Sequence, residues 1–316
     1  CEGNRRPPPR RSLAVSMSGD FAPQPLIVRL LGEFSVEWHD RSLGGLSGDR
    51  PQSLLAYLLL HRQAPQSRRH LSFLLWPDSS EAQARSNLRN LLFTLRQALP
   101  EGGEWLLTDA ATIQWRPGAP LLFDVALFRE HLAAARRHAA AQQTEECARA
   151  LEAAIAAYGG DLLPGNYDDW LLSLREELRQ EFAEALRQLA ALWEGQGHYA
   201  AALRPAQRYL QTDPLNEAAY IQLMRLHALL GDRAAVQRLY QTCVALLQRE
   251  LDVEPSPTTQ AAYAELLRLE PAPPRPAGSQ LSPSAPTGAQ ASPSAPALPA
   301  QPSETLWRPR PLPAPV

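Results

Sequence analysis

The chain has 316 residues, 45% of them hydrophobic, and 31 basic residues against 33 acidic ones leave a net charge of −2. That length points to about two domains with enough apolar content for real cores, and the charge balance offers no global positive field to a nucleic acid. Every basic residue is arginine, so neither a G-x-x-x-x-G-K-[ST] phosphate loop nor a Schiff-base or lysine-base enzyme can be built from it.

Cys1, Cys147 and Cys243 lie far apart and form no C-x-x-C pair; their odd number argues against a disulfide framework and for incidental thiols in a reducing cytoplasm. The seven histidines show no metal-ligand spacing, so no metal and no cofactor is expected. No apolar run approaches the ~20 residues of a membrane span, and the start lacks the apolar stretch of a secretory signal. Met17 is a candidate initiator, unless the chain is a fragment.

Residues 1–24 are Arg- and Pro-rich and are expected to be disordered. LIVRLLGEFSVEW (26–38) ends in strict alternation of Phe34, Val36 and Trp38 with Ser35 and Glu37, a half-buried strand, and Gly32 marks a bend before it. Three helices are predicted next. RPQSLLAYLLLHR opens with Pro51 as its first helical residue, SRRHLSFLLW is capped by Ser67, and SSEAQARSNLRNLLFTLRQAL begins at a Ser80-x-x-Gln83 capping box with Glu81 in its first turn. WLLTDAATIQW (105–115) reads as a hairpin. Strands, three helices and a terminal hairpin are the order of a winged helix-turn-helix.

From Leu121 to about Arg268 the pattern is helical almost throughout. Gly197, Tyr199, Ala202 and Pro214 have tetratricopeptide spacing, Gly231 follows Gly197 by 34 residues, and Tyr220 and Leu223 lie where a first helix wants bulky residues. TEECARALEAAIAAYGG is a degenerate third unit. Residues 271–316 hold 14 prolines among 46 residues and read as a disordered linker. The expected fold class is therefore mainly α. A winged helix-turn-helix (25–120) precedes an all-α TPR-like domain (121–270), and both ends are disordered.

The third helix carries the functional reading. Ala84, Leu88, Leu91, Leu92, Leu95 and Leu99 form one apolar arc, Arg85, Arg89 and Arg96 a row beside it, and Ser86, Asn90, Phe93 and Gln97 the opposite side. Arginine reads guanine, asparagine reads adenine, and apolar atoms meet the thymine methyl. Phe93 either touches such a methyl or packs beneath the hairpin, the second being preferred here. Between Arg41 and Leu99 there are eight arginines and three acids, whereas residues 121–270 hold 14 arginines and 21 acids. Positive charge gathers where a helix-turn-helix would meet phosphates. The candidate DNA-binding residues are Arg68, Arg69, Arg85, Ser86, Arg89, Asn90, Phe93, Thr94 and Arg96, with Arg68 and Arg69 on backbone phosphate. No catalytic residue is assigned. The cluster Asp161, Asp168 and Asp169 beside Trp170 is read as helix caps, or as part of a domain seam.

SLLAYLLLH, LSFLLWPDSSEAQARSNLRNLLFTLRQAL, FDVALF, AYGGDLLPGNYDDWLLSLREEL and GDRAAVQRLYQTCVALLQRELDVEPSPTT occur in that order over residues 26–268. The chain thereby resembles the SARP-type bacterial regulators, which join an OmpR-like winged helix, the effector type of phosphorelays, to a bacterial transcriptional activator domain. The resemblance implies a recognition helix from Ser80 to Leu99 in the major groove of double-stranded promoter DNA, with the hairpin at the minor groove. It further implies engagement of RNA polymerase holoenzyme, self-association on direct repeats, a structural Asp124 at the seam, and no membrane partner. Asp49-Arg50-Pro51 departs from the basic pair of many relatives, which puts one phosphate contact in doubt. The competing reading is a TPR-like interaction module with a degenerate winged helix, the front of a larger ATPase regulator; ten arginines against nine acids in 26–120 favour it.

Overall fold

The computed structural model describes residues 25–100 and 104–268; the two ends expected to be disordered lie outside those residues. Strands β1 (Leu26–Arg29), β2 (Ser35–Trp38) and β3 (Arg41–Ser42) pair antiparallel in sequence order. Gly32 makes the bend after β1 at φ +88°. Helices α1 (Asp49–Leu60), α2 (Arg68–Leu75) and α3 (Glu81–Ala98) follow, and β4 (Gln66–Ser67) lies just before α2. α1 starts two residues before the expected position, so Pro51 is its third residue rather than its first. Its missing N–H still belongs to the first turn, where no helix supplies an acceptor. Ser67 and Ser80 cap α2 and α3 by accepting from the His70 and Gln83 N–H groups. Half of the predicted capping box forms: the Gln83 amide donates to Asn87 Oδ1 at 2.8 Å rather than reaching back.

The predicted hairpin is β5 (Leu106–Thr108) and β6 (Thr112–Trp115), and β4 adds to its outer edge to give the order β4-β6-β5. β7 (Leu121–Phe123) corrects the helical reading from Leu121: it pairs parallel with β1 and completes a sheet of order β3-β2-β1-β7. Strands of two or three residues are too short to display a period, and only the open edge of β1 or β6 selects them.

The remainder is α4 (Asp124–Ala140), α5 (Thr144–Ala157), α6 (Asp169–Gly195), α7 (Tyr199–Thr212), α8 (Glu217–Leu229), α9 (Arg233–Leu251) and α10 (Pro257–Leu266). These pack as successive hairpins α4/α5, α6/α7 and α8/α9, a TPR-like array. The 34-residue repeat is visible in the backbone. Gly197 and Gly231 stand in the turns of the last two hairpins at φ +78° and +80°. The next N–H closes each turn onto the helix before it, His198 on the Trp193 carbonyl at 2.8 Å and Asp232 on the His227 carbonyl at 2.9 Å. The degenerate unit repeats the same turn, with Gln142 in the glycine's seat at φ +58° and Gln143 N–H on the His138 carbonyl at 2.9 Å.

Both halves share one core, which runs from Leu26, Leu54 and Leu88 through Ile113 to Phe128, Leu178 and Ala219. Asp124 ties β1 to α4: its Oδ2 accepts from the Leu30 and Leu31 N–H groups at 2.7 Å each, and its Oδ1 from Val125 N–H at 2.8 Å. The segment after α5 runs against the end of β1, with Gly32 N–H donating to the Asp161 carbonyl and Leu163 N–H to the Leu30 carbonyl. A Cβ on Gly159 would stand 2.7 Å from the Leu31 carbonyl oxygen. Asp168 accepts from Arg50 Nη1 at 2.6 Å and from the Ser53 hydroxyl, which in turn accepts from Trp170 Nε1 at 3.2 Å. Asp168 and Trp170 thus form a seam, while the capping reading fails. Asp168 precedes α6 without a capping bond, and Asp161 pairs with Arg179 at 2.5 Å.

Candidate nucleic-acid interface

α3 is half embedded. The arc Ala84, Leu88, Leu91, Leu92, Leu95 and Leu99 is at most 8% exposed, and the rest of the helix faces solvent. Arg85, Ser86, Arg89, Asn90, Phe93 and Thr94 are all exposed. Among the described residues Arg89 and the Asn90 amide have no hydrogen-bond or ion-pair partner. Thr94 returns its hydroxyl to the Asn90 carbonyl at 3.2 Å, the usual way a helical threonine satisfies itself. Phe93 is 65% exposed, so it does not pack beneath the hairpin.

Arg96 also differs from expectation. It is half-buried and donates to the Thr108 hydroxyl of β5, holding the hairpin against the end of α3 rather than joining the exposed row. Arg50, the residue in doubt for a phosphate contact, is spent on Asp168.

The remaining arginines meet around a cleft of about 540 Å³. Arg68, Arg69, Arg85 and Arg89 line it with Ser67, Ser72 and Leu88, and Ala110 and Ala111 at the hairpin tip form its far wall. α2 and α3 bring the four side chains together; β4 fixes the tip, with Arg68 N–H on the Ala111 carbonyl at 2.9 Å and the Arg68 guanidinium on the Asp109 carbonyl at 2.8 Å. One acid intrudes: Glu81 pairs with Arg85 at 2.5 Å and Arg69 at 3.6 Å. Asp109, at the tip, has its carboxylate occupied by the Thr112 hydroxyl and the Ala111 and Thr112 N–H groups. Those bonds, the hydroxyl's foremost, hold its carboxyl below the usual range. The N-terminus of α2 adds its positive dipole end to the same cleft. Ser67, Ala110 and Ala111 were not singled out from sequence; Ser67 was legible as a cap, whereas two alanines in a turn carry no signal.

The carboxylates once grouped as Asp161, Asp168 and Asp169 are apportioned to Arg179, to Arg50 and Ser53, and to the first turn of α6. Among the described residues no cluster of three or more His, Cys, Asp or Glu is placed to hold a metal, and no helix is long and apolar enough to cross a membrane.

Residues 123–267 match the bacterial transcriptional activator domain. The chain is similar to the transcriptional regulatory protein MoaR1 of Mycobacterium tuberculosis, 26% identical over 242 residues, 72% of this chain and 74% of MoaR1. It is also similar to the transcriptional regulatory protein EmbR of Mycobacterium bovis, 22% identical over 233 residues, 70% of this chain and 58% of EmbR. Among solved structures, Mycobacterium tuberculosis EmbR in complex with a low-affinity phosphopeptide superposes with a TM-score of 0.64 at 22% identity, over 79% of this chain and 67% of that one. The domain match and these relatives point to a SARP-type regulator. Both relatives are named as transcriptional regulatory proteins, which supports transcriptional regulation as the role of the group.

Proposed function

We propose that this chain is a SARP-type, sequence-specific, DNA-binding transcriptional activator and not an enzyme. The reading divides the chain into a DNA-binding unit, 25–120, and a partner-engaging unit, 121–270. α3 enters the major groove with Arg85, Ser86, Arg89, Asn90 and Phe93 toward base edges. The β5–β6 hairpin lies at the adjacent minor groove, and Arg68 and Arg69 meet phosphate across the α2 N-terminus. The observation that carries this is the exposed face of α3, which has no acid after Glu81 and opens onto the four-arginine cleft. Its helical array would engage RNA polymerase holoenzyme and neighbouring copies on direct repeats, in the cytoplasm where the DNA is.

Selection of bound duplexes from a random pool by the full chain, followed by anisotropy titration at several salt concentrations, tests the reading. A recovered consensus that binds better than scrambled DNA, with affinity falling steeply as salt rises, is the expected result. Binding indifferent to both sequence and salt would favour the interaction-module reading instead. The exposure of two phenylalanines, Phe93 at 65% and Phe73 at 42%, is the observation on that side.

A further inference from the structure

A groove between α5, α6 and α7 carries a different recognition chemistry. Ile155, Leu186, Leu189, Trp193 and Pro205 give it apolar walls around about 380 Å³. Arg204 and Arg208, one turn apart on α7, line the same groove. Neighbouring arginines are neutralised: Arg129 by Glu177 and Glu181, Arg179 by Asp161, Arg187 by Glu184. Among the described residues no carboxylate pairs with Arg204 or Arg208, although like charges at this spacing repel.

Burial first, and the Arg204 charge second, push Arg208 below the ordinary arginine value. Arg208 is nonetheless held in place, 4.7 Å over the Phe182 ring and donating to the Tyr158 carbonyl at 3.3 Å. Pro205, between the two arginines, has no N–H for the Ala201 carbonyl one turn earlier, and Ala201 lines the groove as well. Two cations without a carboxylate partner and an apolar wall therefore line one space. They do so in a half of the chain where acids outnumber arginines 21 to 14.

We propose that this groove docks an acidic peptide segment of a partner protein. Its carboxylates pair with Arg204 and Arg208, and a bulky apolar side chain lies on Trp193 and Pro205. Charge argues against the chain's own residues 271–316, which carry one acid, Glu304, against Arg275, Arg308 and Arg310. Glu152, on the α5 side of the groove, repels an acidic ligand and directs it toward α7. The inference is independent of the DNA reading, because none of these residues belongs to α3 or the hairpin.

The full chain is titrated into the fluorescein-labelled octapeptide LDELFDEL, capped at both ends, and into its neutral counterpart LNQLFNQL. Saturable binding of the acidic peptide is expected, weaker by about ten-fold or more for the neutral one and by a similar factor with Arg204→Glu. Glu152→Gln tightens it. Arg204 is exposed, so the variant keeps the wild-type circular dichroism. Equal binding of the two peptides, or an Arg204→Glu chain that binds the acidic one like wild type, overturns the proposal. Displacement of the peptide by a synthetic 271–316 segment or by scrambled duplex DNA at equal concentration also overturns it, assigning the groove to the tail or to nucleic acid.

Discussion

Arg89 and Asn90 stand side by side on α3, exposed, and among the described residues their side chains have no intramolecular partner, so those side-chain donors and acceptors are unspent. Replacing either by alanine should remove roughly 1–3 kcal/mol of discrimination at a single base position. Binding-site selection with each variant measures it, and an unchanged consensus would show that the bases are read elsewhere. Asp124 offers a prediction of a different kind. Burial outweighs its three N–H donors and holds its carboxyl above the ordinary 3.8. With the folded value above the unfolded one, its contribution is whole below about pH 3.8 and is lost as the pH rises through the folded value. The stability advantage of wild type over Asp124→Asn in urea should therefore shrink between acid and neutral pH; an advantage that grows would reverse the sign. Not all of this was legible in the sequence. Helical periodicity says which side of a helix is buried, and it put Arg89 and Asn90 outside correctly. It says nothing about what a neighbouring hairpin does, which is why Arg96 and Phe93 were misjudged.

Repeats and caps are properties of elements, and here legibility depended on residue type more than on geometry. The α6/α7 and α8/α9 hairpins were found because Gly197 and Gly231 occupy left-handed positions; α4/α5 has the same turn and hydrogen bond but was recognised only as degenerate, since Gln142 takes that place. A non-glycine residue in this conformation costs about 1–2 kcal/mol, partly offset by glycine's larger entropy loss on folding. Gln142→Gly should accordingly stabilise the chain by about 0.5–1 kcal/mol, and Gly231→Ala destabilise it by about 1 kcal/mol, both read from chemical denaturation. A stabilising Gly231→Ala would contradict the shared turn. The hairpin has its own test. If the Arg96 to Thr108 bond holds β5 against α3, Arg96→Ala and Thr108→Val weaken DNA binding by similar factors, and the double variant by little more than either. Additive losses would mean that Arg96 contacts DNA directly. β4 and β7 left no trace in the sequence because edges supplied by distant strands, not local periodicity, make them strands.

At the scale of the whole molecule, the first half is joined to the acidic helical array through one shared core, and that continuity was the least legible feature. Composition and periodicity divide the chain near residue 120, yet β7 lies in the first sheet, Asp124 accepts from the end of β1, and the core passes from Leu54 to Leu178 without interruption. The seam is tightest at Gly159, where a Cβ would meet the Leu31 carbonyl at 2.7 Å. Both partners there are backbone, and the Gly32 and Leu163 N–H groups on either side are already bonded across the same approach, so neither strand can yield cheaply. Gly159→Ala should cost roughly 1–3 kcal/mol, as overpacking does. Because the halves share a core, the loss should not be confined to one of them. Urea unfolding followed by tryptophan fluorescence, weighted by Trp105 and Trp115 in the first half, and by far-ultraviolet circular dichroism, weighted by the helical array, should give coincident transitions that move together in the variant. A dichroism transition that stays in place while the fluorescence transition shifts would mean that the halves unfold separately. In that case the seam would be a contact between independent domains.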